Sequence, residues 1–437
     1  MEIKQLKLKN FRCLKKSEID FGKITLLTGP NNSGKSSIIA SLLGALQTKD
    51  FPFYYSLNGK YVELGDFKEV IFNHDEDLDI TLDFLINDRN KEYHFNTTWM
   101  KDSKNNMVKI KSLKIKCKYF TISLLKKQNY YQLYFYYRKE KDKDRHEFIK
   151  FNKIIEKAIS ELKAKPEKQK DLIYSDKTEL KITNENNIFK NFSTTSNMNF
   201  HRSISEIEGL LRRIGFKTNF ICSFRLNPER TYYLSTRKQL KIERTGRYYT
   251  DQIVNWHYQK ANEFKEFKKI MKNLNLLNDI KVESLPGGRF EIRVKAHEYS
   301  PWSALNDIGF GVPQLLPVIT ADIQLGKQST FIVAQPEIHL HPSCQADFGD
   351  YITNQIKKNE KKYIIETHSE YLLNRIRLQI VRGKISPDDV KIYYLKKSKK
   401  GNETIEIKFT EEGVIENAPP EFFDTYKIDV MDIAMEA

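Results

Sequence analysis

The sequence predicts an α/β fold with a mostly parallel central sheet and one long insertion. A buried strand near the N-terminus leads into a glycine loop and a helix, and strands alternate with helices from Trp302 onward. Lysine and tyrosine dominate between about Asn96 and Phe200, which predicts the insertion. We therefore assign residues 1–95 and 218–437 to the α/β domain. Residues 96–217 are predicted to be a basic α/β insertion, with a short helical arm as the alternative, that contacts a partner or DNA.

The α/β domain begins with strands. The first alternates leucine with lysine, as a half-buried strand does, and residues 24–27 form a shorter, more apolar strand. A helix is predicted over residues 35–47, directly after the glycine loop. Residues 61–86 are predicted to contain further strands, because apolar residues alternate along one face near their end.

The insertion and the C-terminal part differ in pattern. Apolar residues at helical spacing predict a helix over 148–163, and polar composition predicts loops at 164–170 and 184–199. After the insertion, the predicted strands are 218–234, 281–295, 330–333, 363–366 and 390–395, and the predicted helices are 251–277, one ending near 323, 343–358 and 369–382. Alternation of this kind favours parallel strands.

Composition excludes several classes of protein. Of the 437 residues, 40% are hydrophobic, which suffices for a sizeable core. The four cysteines form no CxxC pair, so neither a zinc cage nor a disulfide framework is predicted, and a reducing, cytoplasmic compartment is favoured. No signal-peptide pattern and no run of roughly 20 apolar residues is visible, so secretion and a membrane span are not expected. The net charge of +16 supports an anionic partner only weakly, because most of the excess is lysine.

A phosphate-binding loop is the strongest motif. GPNNSGKS, residues 29–36, matches G-x-x-x-x-G-K-S/T and lies between a buried strand and a helix, as that motif requires. Backbone N–H groups and the helix N-terminus would surround the phosphates, Lys35 would reach the β- and γ-phosphates, and the Ser36 hydroxyl would bind Mg²⁺. The residues predicted to bind the nucleotide here are Asn31, Asn32, Ser33, Gly34, Lys35 and Ser36. A plain glycine turn is the alternative.

Three segments of the C-terminal part carry further polar groups. TFIVAQPEIHLHP, residues 330–342, contains a strand of the type whose end holds a Mg²⁺-binding carboxylate in P-loop enzymes. His368 follows the next buried strand, where it can point at a γ-phosphate. Gly309 and Gly311 precede a helix whose N-terminus could bind phosphate from a second subunit.

In this order, the motifs resemble an ABC-type ATPase head, and more closely the RecF/SMC/OLD-like AAA ATPases of bacterial antiphage systems. The residues that carry the resemblance are IKQLKLKNFRCLKKSEIDFGKITLLTGPNNSGKSS, IGFGVPQLLPVI, QPEIHLHP, ETHSEYLLNRI and GVIENAPPEFFD, within roughly residues 1–70 and 220–437. The resemblance implies a head-to-head dimer that encloses ATP and Mg²⁺. It implies that Gly309, Gly311 and Gln314 form the signature motif that completes the partner's site, and that His368 is the switch histidine.

The chain departs from this pattern at the Walker B strand. The wider class ends that strand with Asp-Glu-Pro, and Pro336 fixes the register here, so Ala334 and Gln335 replace the two acids. Alanine binds no metal, and glutamine is a poor general base, so slow hydrolysis is expected. Either Ala334 is an introduced substitution or this copy hydrolyses ATP poorly. The candidate catalytic residues are Gln335, Glu337, as a substitute base, and His368. His339 and His341 follow the strand, and a metal site is a minor alternative to a structural role for them.

Three functions remain open at the level of sequence. Residues 370–437 are too short for the nuclease module of OLD-type proteins, which favours an ATPase that acts as sensor or scaffold of a two-component antiphage system of Septu or PARIS type. It would form a homodimer or higher homo-oligomer and control a separate nuclease or toxin. The alternatives are a RecF-like DNA-binding repair ATPase and a scaffold that binds ATP without turning it over. The DNA alternative rests on interleaved cations and tyrosines, namely Arg212, Arg213, Lys217, Arg225, Arg230, Arg237, Lys238, Lys241, Arg244 and Arg247 with Tyr232, Tyr233, Tyr248 and Tyr249.

Overall fold

The computed structural model describes residues 2–104, 106–138, 176–182, 196–233, 240–420 and 422. The helix predicted over 148–163, the loop at 164–170, most of the loop at 184–199, and Arg237 and Lys238 lie outside this part of the chain.

The described residues form two large sheets and one small one, with helices packed on them. The strands are β1 (Glu2–Phe11), β2 (Leu14–Asp20), β3 (Ile24–Thr28), β4 (Ile80–Asp88), β5 (Lys91–Lys101), β6 (Val108–Cys117), β7 (Phe120–Lys126), β8 (Tyr131–Tyr137), β9 (Asp176–Ile182), β10 (Thr218–Ile221), β11 (Tyr232–Tyr233), β12 (Asp279–Leu285), β13 (Arg289–Lys295), β14 (Ser303–Ala304), β15 (Thr330–Ala334), β16 (Lys362–Glu366), β17 (Val390–Lys396), β18 (Glu403–Phe409) and β19 (Ile415–Glu416). The helices are α1 (Lys35–Gln47), α2 (Phe67–Val70), α3 (Met198–Lys217), α4 (Tyr249–Tyr258), α5 (Asn262–Asn273), α6 (Gly311–Leu325), α7 (Pro342–Asn359) and α8 (Glu370–Val381). Among these residues, no helix combines the length and apolarity that a membrane crossing requires.

The sheet that carries the phosphate-binding loop has seven strands, in the order β10-β15-β16-β3-β17-β18-β19. The first five are parallel, and β18 and β19 add antiparallel strands at one edge. All residues of β3 are buried, as expected for a parallel strand covered on both faces. Since the carboxyl ends of parallel strands share one edge, this order brings the ends of β3, β16 and β15 side by side.

The larger sheet has eight strands, in the order β2-β1-β4-β5-β6-β7-β8-β9, and is antiparallel throughout. The prediction of a mostly parallel central sheet therefore describes the first sheet and not this one. Burial alternates residue by residue along β4, because only one face of the sheet meets the core. The domain boundary predicted between residues 95 and 96 falls inside β5, and β6, β7 and β8 extend the sheet that β1 and β4 begin.

Three predicted elements are interrupted. The strand predicted over 281–295 is two antiparallel strands, β12 and β13. The strand predicted over 218–234 is β10 and the short β11, joined by residues without strand structure. The helix predicted over 251–277 is α4 and α5, because the chain turns at Lys260, whose φ is 48°. A left-handed residue of this kind ends a helix.

The two faces of the seven-stranded sheet lie in different apolar clusters. Leu27, Ile332 and Ile364 face the cluster that includes α1 and the larger sheet, whereas Leu26 and Ile365 face the cluster formed with the C-terminal helices. Ala334 belongs to the first cluster, so its side chain is on the face that carries α1.

Candidate functional site

The phosphate-binding loop connects β3 to α1 and uses backbone geometry that favours glycine. Gly29 and Gly34 have φ values of 127° and 106°. A Cβ atom on Gly34 would lie 2.8 Å from Cys13 Sγ, so a side chain at this position would also collide with its surroundings. Asn402 braces the loop from outside by donating from its amide to the Ser33 carbonyl at 2.8 Å.

Lys35 lies at the centre of this loop. Its side chain is buried, and Nζ donates to the carbonyl oxygens of Gly29 and Pro30, each at 2.9 Å. Burial lowers the Lys35 pKa, and the carboxylates of Glu366 and Glu337 oppose that shift. Two carboxylates therefore act on one ammonium, which makes Lys35 the electrostatic centre of the site.

Ser36 follows Lys35 and contacts a carboxylate that the sequence analysis did not identify. Its hydroxyl donates to Glu366 Oε1 at 2.8 Å and lies 2.9 Å from Oε2. Glu366 ends β16, the strand between β15 and β3, and is the register partner of Ala334. Burial raises the Glu366 pKa, whereas Ser36 and Lys35 oppose that rise. The sequence feature that indicates Glu366 is an acid two residues before His368, at the end of a buried strand.

The end of β15 is held by a buried arginine. Arg225 donates from Nη2 to the carbonyl oxygens of Ala334 at 2.7 Å and Gln335 at 3.0 Å. Only 3% of Arg225 is exposed, so its prediction as a DNA-contacting cation is wrong. Gln335 has a φ of 46°, and its N–H donates to the Glu366 carbonyl at 2.6 Å, which joins the ends of β15 and β16.

Glu337 and His368 meet beside this junction. Glu337 Oε1 accepts from the His368 N–H at 2.7 Å, and Oε2 is buried with no hydrogen-bond partner among the described residues. Burial raises the Glu337 pKa, and its hydrogen bonds and Arg225 oppose the rise. The His368 side chain is at the surface, and its pKa is lowered by partial desolvation and by Lys35. Because the Glu337 carboxylate also acts on the Lys35 ammonium, it lies within electrostatic range of the phosphate-binding loop.

The two histidines after β15 have structural contacts. His341 caps α7 by accepting from the Ser343 N–H at 3.3 Å. The His339 ring lies 5.9 Å, centroid to centroid, from that of Phe310. In the described part of the chain no group of three or more metal-binding side chains occurs, and nothing there supports the metal alternative.

The predicted signature residues lie at the start of α6. Gly309 is exposed, and the space around it is open. A Cβ atom on Gly311 would lie 2.7 Å from the His339 carbonyl oxygen, so this glycine allows α6 to approach the loop after β15. Gln314 is buried in the helix. The structure thus brings the segment against the loop after β15 of its own chain, and its contact with a partner's nucleotide stays a prediction.

Most of the described cations proposed to hold DNA have partners within the chain. Arg213 pairs with Asp88 at 2.5 Å, and Arg230 with Asp307 at 2.8 Å. Arg244 pairs with Glu63 at 3.2 Å. Lys241 donates to the carbonyls of Gly215 and Thr218, and burial lowers its pKa to about 7. The interleaved tyrosines are also partly absorbed, since Tyr249 is buried and Tyr232 stacks on Phe290.

Similarity to solved structures is distributed over almost the whole chain but is low. The Smc head domain with an extended coiled coil, bound to the C-terminal domain of ScpA and derived from Pyrococcus furiosus, is 13% identical with a TM-score of 0.45, covering 99% of this chain and 98% of that one. The SMC head domain from Thermotoga maritima is 10% identical with a TM-score of 0.40, covering 92% and 98%. An SmcHead bound to the C-winged helix domain of ScpA is 14% identical with a TM-score of 0.42, covering 93% and 98%. Values this low carry no argument about function.

Sequence comparison gives a firmer result. No curated protein matches the chain. Residues 385–433 match a family described as protein of unknown function (DUF3696). Residues 1–373 match the family model described as AAA ATPase domain, and this match spans the predicted insertion as well as the phosphate-binding loop. The chain therefore belongs to the AAA ATPase domain family.

Proposed function

We propose that this chain binds ATP with Mg²⁺, hydrolyses it slowly, and dimerises around the bound nucleotide. The arrangement of Lys35 and Ser36 in the loop after β3 is the observation that supports this most directly. Lys35 would exchange its contacts with the Gly29 and Pro30 carbonyls for phosphate oxygens. The buried Ser33 hydroxyl has no hydrogen-bond partner within the described chain, which makes it a further donor for phosphate.

The oxygen donors at Ser36 suit Mg²⁺, which prefers hard oxygen ligands and keeps several waters. When bound, Mg²⁺ would neutralise charge on the phosphate oxygens. Ser36 would hold it from the side of α1. Lys35 and the loop N–H groups would orient the phosphates.

Glu337 is the side chain that we assign to activation of water. Its Oε1 is held by the His368 N–H at 2.7 Å, and its second, buried oxygen would accept the proton. Gln335, in the position of the usual base, accepts no proton at neutral pH. His368 would contact the γ-phosphate from the end of β16. We expect slow turnover, because the carboxylate lies two residues beyond the usual position.

Dimerisation would use the exposed residues before α6. Gly309 leaves open space, and Phe310 is 64% exposed beside it. A helix N-terminus with exposed N–H groups is suited to a phosphate of the second subunit. A homodimer or higher homo-oligomer would place Gly309 and Gly311 of one chain against nucleotide bound to the other.

At the level of the cell, we propose a sensor or scaffold of a two-component antiphage system in the cytoplasm, controlling a separate nuclease or toxin. The resemblance stated from sequence supports this role, whereas the AAA ATPase match supports only the ATPase part of it. The four cysteines are all unpaired, as in reducing compartments. The RecF-like alternative is less favoured, because Arg213, Arg225 and Arg244 are used inside the chain.

Nucleotide binding is the first test. A fluorescent ATP analogue would be titrated into the wild-type chain, Lys35→Ala, and Lys23→Ala as control. Lys23 precedes β3 at the opposite end of the strand and pairs with Asp389 at the surface. We expect at least about a tenfold loss of affinity for Lys35→Ala and none for Lys23→Ala. Equal affinity of all three proteins contradicts the proposal. Mass measurement with a slowly hydrolysed analogue then tests assembly, for which the expected result is a mass of two or more chains.

A further inference from the structure

We propose that Glu366 supplies the metal-side carboxylate that the end of β15 lacks at Ala334. This inference rests on the nucleotide-binding function proposed above and assigns its metal site. In the wider class an aspartate at the Ala334 position holds the Mg²⁺ water. Here the acid would come from the neighbouring strand.

Strand register places the two positions side by side. Ala334 and Glu366 are Cα partners on parallel strands, so their side chains project from the same face of the sheet. That face carries α1 and the phosphate-binding loop. Since β16 lies between β15 and β3, Glu366 is one strand, about 4.8 Å, closer to the loop than Ala334. At this distance, the Glu366 carboxylate can take the place of an acid on β15.

The contact with Ser36 shows where the carboxylate points. Both oxygens lie within 2.9 Å of the Ser36 hydroxyl, which is the loop's own metal ligand in the motif. The pair therefore offers a hydroxyl and a carboxylate, the oxygen donors that Mg²⁺ takes from proteins in nucleotide sites.

The site contains two carboxylates beside one lysine. Glu366 is only 6% exposed, and Glu337 is close enough to act on the same lysine. Lys35 is the cation that opposes the burial of Glu366, and phosphate would draw the Lys35 ammonium away from it. A divalent cation would then compensate the carboxylate, which buried charges require.

The experiment measures how much Mg²⁺ tightens binding of a non-hydrolysable ATP analogue, by titration in EDTA and in Mg²⁺. The proteins are wild type, Glu366→Gln, the double variant Ala334→Asp/Glu366→Gln, and Glu360→Gln as control. Glu360 lies before β16, at the opposite end of the strand, and contacts Gln328 at the surface. We expect Glu366→Gln to lose at least about tenfold in affinity with Mg²⁺ and nothing in EDTA. The double variant should recover the Mg²⁺ effect, because aspartate returns a carboxylate to β15.

The outcomes separate this inference from the function on which it rests. An unchanged Mg²⁺ effect in Glu366→Gln overturns the assignment of Glu366 alone. An equal loss in EDTA and in Mg²⁺ also overturns it, since Glu366 would then only orient Ser36. Absence of analogue binding by the wild-type chain overturns the nucleotide function itself, and the inference with it. Should Glu366→Gln fail to fold, Glu366→Asp replaces it. That variant keeps the charge on a shorter side chain, and an undiminished Mg²⁺ effect would contradict the assignment.

Discussion

Replacing Arg225 by alanine should destabilise the end of β15 and thereby the whole domain. The guanidinium spans from the segment after β10 to two consecutive carbonyl oxygens, those of Ala334 at 2.7 Å and Gln335 at 3.0 Å. Both carbonyls lie where the strand turns toward Glu337. Because Arg225 is 3% exposed, water has little access to them in the wild-type chain, and alanine can replace neither bond.

The magnitude follows from two opposing contributions. Two hydrogen bonds to a charged donor contribute roughly 4 kcal/mol in total. Against this, burial lowers the Arg225 pKa to about 10, and Nε and Nη1 have no hydrogen-bond partners within the described chain. Removing the guanidinium relieves part of that cost. The net loss in free energy of unfolding should therefore be about 2 kcal/mol.

Denaturant unfolding of wild type, Arg225→Ala and Arg230→Ala would measure this difference. Arg230 is the matched control, since its exposed ion pair with Asp307 should contribute no more than about 1 kcal/mol. Arg225→Ala should also weaken nucleotide binding, because Glu337 and the end of β16 are attached to the same turn. A loss for Arg225→Ala no larger than that for Arg230→Ala would refute the stabilising role of Arg225.

Three further predictions concern the core and the loop. Asp322→Asn should lower the free energy of unfolding by about 3–5 kcal/mol, because Lys361, which is 2% exposed and pairs with Asp322 at 3.0 Å, loses its buried counter-charge. The control Glu266→Gln, at an exposed pair with Lys358, should lower it by under about 1 kcal/mol. Equal losses for the two variants would contradict a stabilising role of the buried pair. Gly34→Ala should reduce affinity for the ATP analogue at least about tenfold, because the φ of 106° at this position disfavours any residue with a Cβ atom. The control Gly287→Ala, in an open turn, should leave affinity unchanged. Normal affinity of Gly34→Ala would contradict the loop geometry. Without nucleotide, the free energy of unfolding of Glu366→Gln should rise relative to that of wild type as pH rises above 4.5. Burial raises the Glu366 pKa in the folded state, so ionisation of the wild-type carboxyl opposes folding in this range. A difference in stability that shrinks with rising pH would contradict this reasoning.

Part of the site could be predicted because it is local in sequence. Residues 29–36 form one continuous loop, and its glycine positions, lysine and serine are related by backbone geometry over a few residues. The same holds for the long helices and the parallel strands after Trp302, whose observed bounds lie close to those predicted from hydrophobic periodicity. The family match agrees with this local pattern, since it includes the loop and the strands that flank it.

The contacts that complete the site are long-range, and the order of strands decides them. Ser36 and Glu366 are 330 residues apart and meet because β16, not β15, is the neighbour of β3. Arg225 reaches Ala334 because β10 lies beside β15, which turns an apparent surface cation into a buried support. The antiparallel sheet likewise continues through the residues assigned to an insertion, since alternating burial reveals a strand but not its partner. Periodicity reports which face of a strand is buried, whereas the neighbour of each strand depends on how the whole chain packs.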